Sequence, residues 1–283
     1  NKVELNQIKY LVINLKNKLL KIIKQPELLS LYFNEYLKDS LLGSNIDNYI
    51  LSYPKSGRTW LYEILKLYSC NRNYNNFIRN RKKIKFNNEF IKFIHDCSDP
   101  NPYPVKAIKQ KFKNKDLNSK KKIILLRDPR EIIISFWYQM KFREKTYNLN
   151  ISEFIDDEYL GIKKIIYFYN LIDTKILNNF EIVTYSELVK NTFHEVKKIL
   201  SFFDLEIDEK LIKKCIKDCS FHKLQKKEMV NSNVKDIKSL KFRVGASGDF
   251  KSNLSNQDLL KINDIIQAEL NENFKKILKL ENI

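Results

Sequence analysis

The stretch NYILSYPKSGRTWLYEILKLY (residues 48–68) joins a short apolar run, a turn and an amphipathic pattern. The run at 48–53 is rich in strand-forming residues and is stopped by Pro54, and the apolar spacing after Gly57 is typical of a helix. Exposed N–H groups at a helix start attract anions. The polar turn between the two elements therefore predicts a phosphate cradle formed by Lys55, Ser56, Gly57, Arg58 and Thr59.

This cradle differs from the phosphate loop of nucleotide kinases. The pattern GxxxxGK[ST] is absent, and Lys55 precedes Gly57 instead of following it. A kinase would also need an aspartate that binds Mg²⁺, and none is evident. The sequence therefore favours an anion site of another kind.

Similar apolar runs recur at 90–94, 122–126 and 180–185, and helical patterns occupy 129–142, 160–177, 191–203 and 209–217. Strands that alternate with helices predict a mostly parallel sheet. No linker or repeat divides the chain, so we predict one α/β domain over 1–283 with a helical lead-in at about 1–45. The lysine-rich stretches 79–85 and 109–122 are interpreted as solvated connections, and 229–252 lacks clear periodicity.

Composition excludes several classes of protein. The chain has 283 residues, of which 43% are hydrophobic, and this content excludes disorder. Four scattered cysteines without a CxxC pair argue against a disulfide framework and a zinc site, and we expect Cys215 and Cys219 to be core residues. No apolar run approaches the length of a membrane span. The net charge of +18 favours anionic partners without choosing among nucleotides, nucleic acid, sulfated glycans and acidic lipid.

A second polar motif lies in LLRDPREIIISFW (125–137), where another strand leads into a helix. Arg127 stands at the carboxyl end of that strand, which is where open α/β sheets bind ligands. An arginine there can bind a phosphate in bidentate fashion. The alternative is a structural pair with the adjacent Asp128, and the motif alone leaves both possibilities open.

Three ordered motifs together resemble the sulfotransferases that use 3′-phosphoadenosine 5′-phosphosulfate (PAPS). YPKSGRTW is similar to their 5′-phosphosulfate loop, RDPREIIIS to their 3′-phosphate motif, and FRVGASGDFKSNLS (242–255) to the element that folds over the nucleotide. The resemblance spans about 53–255 and implies a P-loop NTPase-like sandwich, with a mostly parallel central sheet flanked by helices. It also implies that PAPS is the co-substrate, that 3′-phosphoadenosine 5′-phosphate (PAP) is the product, and that no metal is needed.

The resemblance assigns site residues position by position. The five cradle residues would bind the 5′-phosphosulfate, and Arg127 and Ser135 would bind the 3′-phosphate. Further cofactor-binding positions are Trp60, Tyr185, Ser220, Phe221, Arg243, Val244 and Gly245. Trp60, Tyr185 and the pair Ser220 and Phe221 are expected near adenine, whereas Arg243 and Gly245 are expected at the 3′-phosphate. Val244 stands where the family usually has a basic residue.

The implied catalytic residues are His95, Lys55 and Ser56. His95 follows the predicted strand FIKFI and matches the family's general base, which commonly lies within KTH. Here Phe93 replaces the lysine of that triplet. Of the other two histidines, His194 lies in a predicted amphipathic helix and His222 lies beside the expected adenine contact.

These observations predict a cytoplasmic sulfotransferase that moves a sulfuryl group from PAPS to a hydroxyl or amine by in-line attack. The acceptor would be a small molecule or a glycan, with no nucleic-acid partner. Two alternatives stay open: a catalytically inactive homologue that binds PAPS or PAP, and a basic module that binds RNA or glycan. The oligomeric state does not follow from the sequence.

Overall fold

A five-stranded sheet forms the centre of the protein. The computed structural model describes residues 48–72, 83–86, 89–94, 120–158, 160–172, 179–232, 236–245 and 248–283. The strands are β1 (Asn48–Ser52), β2 (Lys83–Phe86), β3 (Glu89–Ile94), β4 (Lys121–Leu126) and β5 (Phe180–Thr184). Their order is β2-β3-β1-β4-β5, and only the β2–β3 pair is antiparallel among the described strands. The predicted mostly parallel sheet is confirmed.

Helices follow most of the strands. They are α1 (Arg58–Asn71), α2 (Pro129–Tyr138), α3 (Ile151–Ile155), α4 (Ile162–Leu171), α5 (Tyr185–Lys190), α6 (Thr192–Phe202), α7 (Glu209–Asp218), α8 (Phe221–Ser232), α9 (Asn256–Glu269) and α10 (Glu272–Leu278). A π-helical turn (Gln139–Arg143) continues α2. Short 3₁₀ helices occupy Ile237–Ser239 and Asp249–Ser252.

Two apolar cores lie on opposite faces of the sheet. Successive strand residues point to opposite faces, so Leu51 and Ile124 join one core while Ile50 and Ile123 join the other. The first core includes residues of α2, α4 and α9, and the second includes residues of α1, α6 and α7. The sheet is thus sandwiched between helices, as the α/β prediction required.

The register brings four strand ends to the same edge of the sheet. Leu51 pairs with Ile94 of β3 and with Ile124 of β4, and Leu126 pairs with Thr184 of β5. Because these strands are parallel, the segments that follow their carboxyl ends begin at one edge. Both predicted phosphate motifs start there.

Some boundaries differ from the sequence prediction. Residues 83–85, predicted as a solvated connection, belong to β2, where Lys83 and Ile84 are buried. The lysine content had predicted a solvated connection, but the hydrogen bonds with β3 make these residues a strand. Helix α8 begins at Phe221, in a segment without a predicted helix, and the strand predicted to end at Tyr185 ends one residue earlier. The predicted helical lead-in lies outside the described residues.

Candidate active site

The cradle between β1 and α1 has the backbone of an anion site. Lys55 and Gly57 both have positive φ angles, 74° and 89°. Positive φ is uncommon for a residue other than glycine, so the conformation at Lys55 must be held by its surroundings. Gly57 is the N-cap of α1 without a side-chain cap, and its carbonyl accepts hydrogen bonds from the N–H groups of Trp60 and Leu61. The earliest N–H groups of the helix lack intrahelical acceptors and point out of its end.

Lys55 is surrounded by other cations. Its Nζ donates a hydrogen bond to Gln139 Oε1 over 3.2 Å. Burial is the main cause that lowers the Lys55 pKa to about 7, and the positive charges of Arg143, Arg127 and Lys241 lower it further. Glu228 opposes this effect only in part. A site with this surplus of positive charge is matched to a ligand with several negative charges.

Arg127 is held on three sides. Its Nε donates to Glu131 Oε2 over 2.8 Å, its Nη1 donates to the Lys55 carbonyl over 2.8 Å, and its guanidinium lies 4.2 Å from the centre of the Tyr185 ring. The alternative pair with Asp128 is not formed, because Asp128 binds Arg130 instead. Arg127 therefore faces the cradle and contacts its backbone, which is where the phosphate-binding prediction needs it.

The Tyr185 ring packs against both the cradle and Arg127. A Cβ atom added to Gly57 would come within 2.5 Å of this ring, so only glycine allows the close approach. The ring is buried, with 6% of the residue exposed, and burial raises the pKa of its hydroxyl. Tyr185 thus packs against both phosphate motifs, and its predicted contact with adenine stays a prediction.

The residues that follow the first 3₁₀ helix, up to Gly245, contact two other parts of the site. Arg243 lies 4.0 Å from the centre of the Tyr138 ring, and Tyr138 donates a hydrogen bond to Asn253 Oδ1 over 2.8 Å. Gly245 has a φ of 71°, and a Cβ there would come within 2.3 Å of the Phe221 ring. Val244 is 41% exposed. The segment is therefore attached both to the end of α2 and to the start of α8.

Trp60 is joined to the segment that contains Ser220 and Phe221. The indole N–H of Trp60 donates to the Cys219 carbonyl over 2.9 Å, directly before Ser220 and Phe221. Cys215 and Cys219 are buried, as predicted for core residues. Ser135 is partly buried in α2, eight residues after Arg127. The structure therefore brings the motifs of residues 53–60, 127–135, 219–221 and 243–245 together.

The histidines differ in what the structure describes of them. His95 lies outside the described residues, so its role stays a prediction. Phe93, which replaces the family's lysine, is 4% exposed and packs edge-on against Tyr62 at 5.2 Å. His194 and His222 are exposed.

Several residues at the site were missed by the sequence reasoning. They are Glu131, Gln139, Arg143, Glu228 and Lys241. Glu228 accepts hydrogen bonds from the N–H groups of Lys241 and Phe242 and from Arg143. Only the helical spacing of Glu131 after Arg127 gave any signal, because the other contacts join distant parts of the chain.

Comparison with known proteins decides the family. A family model of the sulfotransferase domain matches residues 45–276. The chain belongs to the sulfotransferase domain family. This match confirms the predicted enzyme class, a PAPS-dependent sulfotransferase. Sulfotransferase 2A1 of Macaca fascicularis is 26% identical to this sulfotransferase over 234 residues, which cover 77% of this chain and 82% of that protein. A 3-beta-hydroxysteroid sulfotransferase of Cavia porcellus is 25% identical over 264 residues, covering 87% and 89%.

Solved structures support the predicted fold of this sulfotransferase. A mouse sulfotransferase, SULT7A1, crystallised with PAP, aligns with a TM-score of 0.58 at 17% identity and covers 83% of this chain and 88% of its own. Retinol dehydratase in complex with androsterone and PAP aligns with a TM-score of 0.59 at 14% identity, covering 84% and 85%. The P-loop NTPase-like sandwich is confirmed.

Neither a membrane-spanning helix nor a cluster of metal ligands is found among the described residues. No described helix is both long and apolar enough to cross a membrane. Within the same residues, no group of three or more histidine, cysteine, aspartate or glutamate side chains is placed to hold a metal ion.

Proposed function

We propose that this sulfotransferase transfers a sulfuryl group from PAPS to a hydroxyl or amine by in-line attack. The observation that carries the proposal is the contact between the two phosphate motifs, where Arg127 Nη1 reaches the Lys55 carbonyl. This contact supports a single site that contains both a 5′-phosphosulfate cradle and a 3′-phosphate arginine. Both structural neighbours described above were crystallised with PAP, and the curated relatives carry sulfotransferase names.

The described residues fit a nucleotide that carries a phosphate on both the 5′ and the 3′ carbon of its ribose. The cations around Lys55 supply the positive charge that this nucleotide requires. The missing side chains of Gly57 and Gly245 let the backbone lie close to the Tyr185 and Phe221 rings. The N–H groups at a helix N-terminus and the neighbouring cations are together sufficient to bind a phosphate. In this assignment Arg58, Thr59 and Ser56 complete the cradle, and Ser135, Arg243 and Gly245 join Arg127 at the 3′-phosphate.

The catalytic roles follow from where charge changes during transfer. As the acceptor attacks sulfur, negative charge develops on the bridging oxygen of the departing nucleotide, and Lys55 would stabilise it. Ser56 and the N–H groups of the loop would hold the sulfuryl oxygens. His95 follows Ile94 of β3, which pairs with Leu51 next to the cradle. That order in the chain supports His95 as the group that accepts the acceptor's proton.

The acceptor is proposed only by class. The relatives of this chain include the 3-beta-hydroxysteroid sulfotransferase and an amine sulfotransferase of Oryctolagus cuniculus that is 22% identical, and one structural neighbour is complexed with androsterone. A small apolar alcohol or an amine is therefore the first choice, and an anionic glycan is the second because of the +18 charge. The cytoplasmic location and the single-domain organisation stay predictions.

Transfer of label from ³⁵S-PAPS to a panel of acceptors tests this function. The panel contains a steroid alcohol, a phenol, a primary amine and a heparan oligosaccharide, and Lys55→Met serves as the control. We expect labelled product with at least one acceptor for the wild type, and at least tenfold less with Lys55→Met. Tight PAP binding without transfer to any acceptor would instead favour the inactive homologue.

A further inference from the structure

Glu131 joins two anion-binding segments that are far apart in sequence. This residue lies in the first turn of α2 and is 5% exposed. Its Oε2 accepts the Nε–H of Arg127 over 2.8 Å, and its Oε1 accepts the backbone N–H of Gly248. One buried carboxylate therefore holds both the predicted 3′-phosphate arginine and the segment that follows Arg243 and Gly245.

A carboxylate at this position has an electrostatic cost. A 3′-phosphate beside Arg127 would be repelled by the negative charge of Glu131, and like charges in a partly buried site interact strongly. The carboxylate must therefore provide something that outweighs this repulsion. Its hydrogen bonds provide orientation, because each oxygen fixes a different donor.

The orientation of Arg127 leaves one part of its guanidinium available. Nε is bound by Glu131 and Nη1 by the Lys55 carbonyl, while the plane lies against Tyr185. Nη2 makes no hydrogen bond to the residues that the structure describes. An arginine fixed in this way loses little side-chain entropy when it binds a phosphate, which favours affinity.

Gly248 is the other end of the connection. It has a φ of 93° and stands directly before the 3₁₀ helix Asp249–Ser252. Its N–H reaches Glu131 across 117 positions of sequence. The hydrogen bond therefore anchors Gly248, at the start of this 3₁₀ helix, to the same side chain that orients Arg127.

We propose that Glu131 is a positioning residue for nucleotide recognition, which holds Arg127 and the backbone at Gly248 in the arrangement that binds the 3′-phosphate. The inference rests on the proposed function, since it takes PAP and PAPS as the ligands. It adds a residue that contacts no ligand itself and acts through two neighbours.

The test compares PAP and AMP affinities by calorimetry in Glu131→Gln and Glu131→Asp. Arg127 and Gly248 donate to different oxygens of Glu131, and glutamine replaces one of these oxygens by an NH2 group that cannot accept a hydrogen bond. Aspartate keeps the charge but is one methylene shorter. We expect each variant to weaken PAP binding about 10- to 100-fold, as for the loss of a charge-assisted hydrogen bond, and to change AMP affinity less than about threefold.

A second measurement separates positioning from bulk stability. Hydrogen exchange of the peptide that covers 241–252 should be faster in PAP-bound Glu131→Gln than in the PAP-bound wild type. The matched control is Glu195→Gln, because Glu195 is also a buried helical glutamate (8% exposed) but lies in α6, outside the site. This control should keep both the PAP preference and the exchange pattern.

The opposite results would overturn the inference. If Glu131 only neutralised Arg127, Glu131→Gln would bind PAP more tightly, because a negative charge would leave the phosphate site, and Glu131→Asp would match the wild type. Unchanged PAP affinity in both variants would also reject it. A wild type that binds PAP and AMP equally would instead reject the proposed function, so the two failures are distinguishable.

Discussion

Replacing Gly57 by alanine perturbs the closest approach in the cradle. The new Cβ would come within 2.5 Å of the Tyr185 ring, and φ at this position is 89°. A left-handed conformation costs an alanine about 1–2 kcal/mol, and overpacking in a well-filled region costs about 1–3 kcal/mol more. We therefore expect Gly57→Ala to lower the free energy of unfolding by about 2–5 kcal/mol.

Gly248→Ala is the matched control for this prediction. Gly248 has nearly the same φ, 93°, but a Cβ there meets no atom of the described residues within 4 Å. Alanine keeps the N–H that binds Glu131, so only the backbone cost of about 1–2 kcal/mol remains. The difference between the two variants in urea unfolding isolates the contact with Tyr185.

The first variant also reports on the site. Because the displaced Tyr185 ring supports Arg127, Gly57→Ala should bind PAP at least tenfold more weakly than the wild type. Equal losses of stability in the two variants would refute the reasoning, since they would show that the ring contact has no energetic weight.

Three further predictions concern the charges, the proton and the adenine side of the site. PAP affinity should fall as pH rises from about 7 to 9. In the protein without nucleotide Lys55 has a pKa of about 7, and a bound anion raises this pKa, so PAP binding takes up a proton that Lys55→Met cannot take up. Calorimetry in buffers of different ionisation enthalpy measures this proton uptake, and an equal dependence of PAP affinity on pH in Lys55→Met would contradict it. His95→Ala should lower turnover about 10²- to 10⁴-fold at nearly constant PAP affinity, and a folded variant with normal turnover would remove His95 from the mechanism. Trp60→Phe should weaken PAP binding. It keeps an aromatic ring and removes one hydrogen bond, to the Cys219 carbonyl, so the free energy of unfolding should stay within about 2 kcal/mol of the wild type. Unchanged PAP affinity would place Trp60 outside the adenine site.

Local patterns in the sequence were enough to predict the centre of the fold. Alternating strand and helix patterns predicted β1, β3, β4 and β5 within a residue or so at each end, because parallel strands are continuous apolar runs. β2 was missed, since its sequence KIKF looks like a solvated lysine run and its pairing with β3 is a tertiary contact. The start of α8 at Phe221 was missed for a similar reason, because the helix is mostly polar.

The site was predictable only where it lies in short motifs. The cradle and Arg127 each belong to one strand–turn–helix unit, whose residue types indicate anion binding by themselves. The alternative that Arg127 pairs with Asp128 could not be decided from sequence, since the choice between Asp128 and Glu131 depends on how the first turn of α2 is oriented. Gln139 and Glu228 act across long separations, so no local pattern identifies them.

The most direct test of the central claim compares PAP and AMP binding to the wild type and to Arg127→Ala. The two nucleotides differ by the 3′-phosphate, which the account assigns to Arg127. We expect the wild type to bind PAP far more tightly than AMP, and Arg127→Ala to lose about 1.5–3 kcal/mol of that preference, which is about 10- to 150-fold in affinity. Equal affinity of the wild type for PAP and AMP, or an undiminished preference in Arg127→Ala, would contradict the account.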